Sequence, residues 1–270
     1  MPFEAEGLSR RAVRNVIAIA RRELGAYFDS PLAYFIVPVY VLLVGGFSLW
    51  FDDVFTTAIA SMRGTFFWSA LFLVLLVPAI TMRLFAEEKR TGSLELLVTL
   101  PIREEELVLG KFFAALALVA VSIASTFTYP LMFAILGVPA GSGADGPPAI
   151  VRVFTETGLD FGPVIAGYGG LLLMGAALAG IGTATSSLTS SQIVAFLLAL
   201  VICIFPYTTG FFLEKVPTDL LPFVQFVSFD YHVQNLARGV IDSRDIVFFG
   251  SVVSLTLHVA VYSLERRRLT

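Results

Sequence analysis

The residues between Arg83 and Lys111, RLFAEEKRTGSLELLVTLPIREEELVLGK, form the one long, highly charged stretch inside a chain that is otherwise largely lipid-soluble. Their types and spacing suit binding rather than bond-making. Glu87, Glu88, Lys89 and Arg90 are consecutive charges able to pair with those of a partner. Leu94, Leu97, Val98 and Leu100 follow at helical spacing and give one apolar side. Glu104, Glu105 and Glu106 then open a further helix, where carboxylates favour the positive N-terminal end. The motifs of covalent or phosphate chemistry are missing: there is no GxxxxGK[ST], no HExxH and no GxSxG. The chain is therefore expected to be non-catalytic and to hold no cofactor of its own. The single cysteine, Cys203, excludes an intrachain disulfide and a cysteine-based metal site, and reads as a small buried hydrophobe. Asp230 and His232 are two metal-ligating side chains, too few for a site, so local hydrogen bonding is their expected role and no metal is expected.

The elements that must position the charged stretch are membrane spans. The chain has 270 residues, of which 57% are hydrophobic and only 14% charged, against about 25% charged in a soluble domain. The deficit is concentrated in long charge-free runs. Phe161–Leu213 carries no charge over 53 residues. As one helix it would be about 80 Å long, against a hydrocarbon core of about 30 Å. It must be two spans, with the turn at the polar cluster Ser186–Ser191. The count is then six, at about 30–51, 64–82, 112–137, 162–186, 191–213 and 246–264, forming a single all-α membrane domain over 1–270. Thirteen of the eighteen Lys and Arg fall on one side of this arrangement when both termini are cytoplasmic, which is the orientation the positive-inside rule selects.

Before the first span, residues 9–28 read as an amphipathic helix. Val13, Val16, Ile17, Ala20 and Leu24 recur at helical spacing, and Arg10, Arg11, Arg14, Arg21, Arg22 and Glu23 occupy much of the rest. No continuous apolar stretch of a cleavable signal peptide is present in residues 1–30. Because Ser30-Pro31 leads directly into a span, the helix is expected to lie in the membrane interface with its arginines at anionic headgroups. Between spans two and three, Thr91-Gly92-Ser93 breaks one helix and starts another, with Ser93 as N-cap, Glu95 in the first turn and Pro101 as the stop. Two uses of the apolar side of this short helix are open on the residues alone: docking in a partner's groove, or lying against the membrane.

Within the spans, Pro38, Pro78, Pro130 and Pro206 remove backbone donors and can kink their helices. Gly175, Ala176, Ala179 and Gly180 stand at small-xxx-small spacing and permit close helix contact, preferentially within the chain. No Asp, Glu, Lys or Arg lies in a span away from its ends, which argues against a proton- or ion-coupled carrier. His258 is read as a structural hydrogen-bonding residue. The Gly- and Pro-rich 138–160 is longer than an ordinary helix connection and reads as a loop. Residues 214–245 read as short helices dipping into the outer leaflet.

AEEKRTGSLELLVTLPIREEELVLGK resembles the cytoplasmic loop of the ABC-2 type permeases, the membrane subunits of ATP-binding-cassette transporters. ARRELGAYFDSPLAYF resembles the connecting helix and the start of the first span in that family, and FDYHVQNLARGVIDSRDIVFF with LERRR its last external loop, last span and basic tail. The chain is most similar to the permeases grouped with gliding-motility and nitrous-oxide-reductase-maturation transporters. The resemblance implies a multi-pass protein of a bacterial or archaeal cytoplasmic membrane. It implies two ATPase subunits binding ATP and Mg, a second permease subunit (identical or related), and room for a periplasmic or accessory membrane subunit. Nucleic acid is not among the implied partners. It also implies that Gly92–Leu100 is a coupling helix seated in the ATPase. Glu87, Glu88, Lys89, Arg90, Gly92, Ser93, Leu94, Glu95, Leu97, Val98 and Leu100 would make that contact, with Glu87 and Glu88 nearest the inner end of the second span. Two other readings fit the residues: a membrane anchor through which an ATPase does mechanical or signalling work on a periplasmic partner, and a channel or secondary carrier that needs no ATPase.

Overall fold

The structure is a computed structural model and describes residues 2–51, 62–93, 102–136, 161–213 and 215–268. Every regular element among them is helical. The expected coupling segment from Leu94 to Leu100, including Glu95, Leu97 and Val98, and the loop 138–160 lie outside the described residues.

Among the described residues, six helices are long and apolar enough to cross a membrane. Helix α1 (Pro2–Asp29) precedes them, and Ser30 separates it from α2 (Pro31–Phe51). Helix α3 (Arg63–Thr81) is followed by a short α4 (Ala86–Thr91). Helix α5 (Glu104–Ser125) is continued, after a break at Thr126-Phe127, by α6 (Thr128–Leu136). Helix α7 (Phe161–Leu188) turns through Thr189–Ser191 into α8 (Gln192–Thr208), which tightens into a 3-10 turn, Thr209–Phe212. Two short helices, α9 (Leu221–Val227) and α10 (Phe229–Ala237), lead into α11 (Ser243–Arg268). The long helices alternate in direction, so α1, α4 and the C-terminal end of α11 share one end of the bundle, the near end. Helices α9 and α10 sit at the far end.

Helix α7 is the axis. It is apolar or small on every side, the pattern of an enclosed helix, and it packs against α3, α5, α8, α10 and α11. In a membrane there is no hydrophobic drive to bring helices together, so close backbone approach and dispersion must do so. Its glycines provide that approach. A Cβ at Gly175 would fall 2.8 Å from Val119 Cγ1 on α5, and one at Gly180 would fall 2.5 Å from Thr256 Oγ1 on α11. Ala179 is fully buried beside them. Both contacts join α7 to another helix of this chain. The outward faces are apolar: Val201 and Phe205 on α8 and Val247 and Leu255 on α11 are exposed, as lipid-facing side chains are.

Breaks in the helices are satisfied locally. Thr126 closes the end of α5 by donating from Oγ1 to Ile123 O at 2.7 Å, and Tyr168 OH of α7 donates to Thr126 O at 2.9 Å. The turn after α7 begins at Thr189, so Ser186 and Ser187 belong to the helix rather than to the turn. That placement gives Ser186 partners in residues 82–86, between α3 and α4, and gives Ser187 partners on α4 and α11.

Candidate functional site

The near end is built around an interrupted helix. After Thr81 the backbone leaves the helical path for residues 82–85 and resumes as α4. The N–H groups of Phe85 and Ala86 lose helical partners there and are buried, so each needs an acceptor. Ser186 Oγ of α7 accepts from Phe85 N at 3.0 Å and from Ala86 N at 3.2 Å, and donates to Met82 O at 3.0 Å. One hydroxyl thus holds the elbow to the central helix. The approach is close because position 182 has no side chain: a Cβ at Gly182 would overlap Thr81 Oγ1. Thr81 in turn donates to Val77 O of its own helix at 2.9 Å.

Four charges meet under the elbow. Lys111, near the start of α5, is 1% exposed. Burying a lone ammonium is costly, so it requires anionic partners. Its Nζ donates to Glu88 Oε1 of α4 at 2.7 Å and lies 3.2 Å from Glu23 Oε1 of α1. It also sits over the Phe85 ring, 5.2 Å from the centroid. Arg22 Nη2 donates to Glu23 Oε1 at 2.7 Å and lies 3.7 Å from Glu88 Oε1. Three separate elements, α1, α4 and α5, are therefore tied at one ammonium. Burial raises the Glu23 carboxyl, but Lys111 and Arg22 together outweigh it and hold Glu23 below the usual carboxylate range. The hydrogen bond to Glu23 keeps the Arg22 guanidinium above its ordinary value.

The remaining ties run from the same elbow. Arg83 donates to Ser30 Oγ at 3.2 Å and lies 4.9 Å above the Tyr27 ring, while Tyr27 OH donates to Ile80 O at 3.1 Å. Lys89 Nζ donates to Ser187 O, which also accepts from Ser263 Oγ of α11 at 2.9 Å. Glu23, Tyr27, Arg83, Glu87, Glu88 and Lys111 bound a polar cavity of about 310 Å³. Gly92 ends α4 with φ +73°, a left-handed conformation that suits glycine, and its N–H donates to Lys89 O at 3.4 Å. Ser93 Oγ is 2.9 Å from Thr91 Oγ1.

Of the residues singled out in the sequence, Glu88, Lys89, Gly92, Ser93 and Arg22 come together here. Glu87 is exposed at the mouth of the cavity, and Arg90 is exposed beyond it. Arg14 and Arg21 are exposed on α1, which also carries Arg10. Sequence reasoning did not single out Lys111, Glu23 or Ser186 as site residues. The signal for Lys111 was its position as the last charge before an uncharged run, and for Glu23 its place among the arginines of α1.

The far end holds the second polar cluster. His232 is buried, with Nδ1 2.6 Å from Asp245 Oδ1 and Nε2 3.1 Å from Phe226 O, and its ring stacks on Phe248 at 4.2 Å between centroids. Both ring nitrogens thus face acceptor oxygens, and His232 clamps α9 and α10 onto α11. Burial pushes the neighbouring Asp230 carboxyl up. Among the described residues no group of three His, Cys, Asp or Glu could hold a metal ion. His258 on α11 bonds its own helix, with Nδ1 2.7 Å from Ser254 O.

A sequence model of the family described as ABC-2 family transporter protein matches residues 30–264, which takes in the first five spans and all but the end of the sixth. No curated protein matches the chain.

Proposed function

We propose, from the premise that the chain belongs to the ABC-2 transporter family, that this permease component of an ABC transporter passes the motion of a separate ATPase into its spans through the near-end elbow. The observation that carries this reading is the buried Lys111, which joins the element leading to the coupling segment to both α1 and α5. A displacement of α4 cannot stay local while Glu88, Glu23 and Lys111 remain paired. It is passed to α7 through Ser186 and to α11 through Ser187 and Ser263. Packed helices and polar networks of this kind move as units between discrete arrangements.

In this reading the near end is cytoplasmic, with both termini on that side of a bacterial or archaeal cytoplasmic membrane. The positive charge of the near end supports it. Two ATPase subunits bind ATP and Mg, two permease subunits form the pathway, and the cycle exports substrate. Gly92–Leu100 is the coupling helix, with Leu94, Leu97 and Val98 filling the ATPase groove and Lys89 and Arg90 at its rim. The test is co-expression with the ATPase and purification on a tag carried by this chain. The expected result is co-purification of the ATPase with the native chain and its loss with Leu97→Asp, while membrane insertion is unchanged. Retention of the ATPase by Leu97→Asp would remove the coupling helix from this place.

A further inference from the structure

Apart from the Lys111 cluster, a groove of about 680 Å³ runs between α1 and α5. It shares no lining residue with the polar cavity under the elbow. We propose that this groove is a binding site for a phospholipid with a zwitterionic, amine-bearing headgroup, phosphatidylethanolamine being the simplest. One acyl chain would lie along its floor and the headgroup would lie at its mouth.

The groove follows from side-chain size. At Gly110 the two helices touch: a Cβ there would fall 2.6 Å from Ile19 Cγ2 and 3.2 Å from Val16 O. Beyond that contact the facing residues are Ala114 and Ala117 on α5 and Ala20 on α1, too short to close the gap. Val13, Ile17 and Phe113 stand at its edges and are 56%, 60% and 47% exposed. The volume lies within the range of about 300–1,000 Å³ typical of pockets that enclose small ligands. An apolar cleft at the end of a transmembrane helix is within reach of bilayer lipid, whose acyl chain matches such a floor.

Charge complementarity decides the headgroup. Arg21, Arg103, Glu105 and Glu106 lie on the groove. Glu106 Oε2 already accepts from Asn15 Nδ2 at 2.9 Å. Arg21, Arg103 and Glu105 are exposed and have no partner among the described residues. Guanidinium groups match phosphate oxygens in a planar, two-pronged contact. The carboxylate of Glu105 suits an ammonium and repels a purely anionic head. A groove bordered by two exposed guanidiniums and one exposed carboxylate thus complements a phosphate that carries an amine.

The full chain, with its partner ATPase, is placed in nanodiscs of phosphatidylethanolamine and phosphatidylglycerol, released into mild detergent, and its retained lipid measured by native mass spectrometry. The native chain is expected to retain one phosphatidylethanolamine. Ala117→Phe, which fills the floor and leaves the mouth untouched, is expected to lose it. The double variant Arg21→Ala, Arg103→Ala is expected to reduce retention by about tenfold. Glu105→Gln is expected to shift the retained lipid toward phosphatidylglycerol. Ala20→Phe fills the groove from the opposite wall and replaces Ala117→Phe if that chain does not fold. Equal retention in the filled variants and the native chain overturns the proposal. So does loss of the ATPase in those variants with lipid unchanged, since the occupant would then be protein. Phosphatidylglycerol retained by the native chain and indifferent to Glu105→Gln overturns the headgroup assignment.

Discussion

At the scale of single residues the account turns on Lys111. An ammonium held at 1% exposure between two carboxylates is stable only while both are present and ionised. Replacing it with methionine keeps the length and leaves Glu23 and Glu88 facing one another with only the more exposed Arg22 guanidinium beside them. Breaking a buried pair in this way costs about 3–5 kcal/mol. Lys111→Met is therefore expected to lower the thermal midpoint of the purified chain and to expose α1 to protease, whereas Lys111→Arg keeps the charge and recovers most of the loss. Equal midpoints for native chain and methionine variant would contradict the pairing. Glu23 gives the pH dependence. Its carboxyl is held below its ordinary value of 4.5 in the folded chain, so the stability it contributes is present above that value and is lost as pH falls through the folded one. Protease resistance of α1 is expected to fall on acidification below about pH 4.5, and Glu23→Gln is expected to flatten that profile. An unchanged acid profile in Glu23→Gln would show that the carboxylate does not anchor α1. The charge of these residues was plain in the sequence, but their meeting was not. Glu23, Glu88 and Lys111 lie on three elements, and no spacing rule links positions so far apart.

At the scale of elements, the elbow between α3 and α4 depends on α7. The six spans were legible because charge-free runs of bilayer length are a property of composition and need no tertiary knowledge. The Ser186–Ser191 cluster read as a turn, yet Ser186 and Ser187 remain helical, the Ser186 hydroxyl taken up by the elbow before α4 and the Ser187 carbonyl by α4 and α11. A serine that serves a neighbouring helix and a serine that starts a turn have the same sequence signature. The small residues of α7 likewise announced close packing without naming the partner. The structure supplies α3, α5 and α11 as the helices that press on Gly182, Gly175 and Gly180. Gly182 is the most constrained of these. Gly182→Val is expected to push α7 from α3, break the Ser186 bonds to Phe85 and Ala86, and speed hydrogen exchange at those two amides. Slow exchange at Phe85 and Ala86 in that variant would place the elbow's support elsewhere.

At the scale of the whole molecule, the chain is an all-helical, multi-pass membrane protein of the ABC-2 transporter family with polar clusters at both ends and an apolar exterior between them. The near-end cluster ties four of its elements to the segment that leads toward Gly92, while the far-end clamp of His232 and Asp245 fixes α9 and α10 to the last span. The bundle is thus braced at both ends around α7, and the near-end brace reaches toward the side from which a partner ATPase would act. The family was legible in the sequence because its loop, connecting helix and basic tail occur in order along the chain. The cargo was not, because an apolar pathway and an apolar lipid face use the same residues. The most direct measurement is ATP hydrolysis by the complex of this chain and its ATPase in nanodiscs, compared among native chain, Leu97→Asp and Lys111→Met. The account expects the ATPase to be stimulated by the native chain. It expects no stimulation in Leu97→Asp, where docking is lost, and reduced stimulation in Lys111→Met, where the ATPase stays bound but the elbow is no longer tied to α1 and α5. Equal hydrolysis in all three would contradict it.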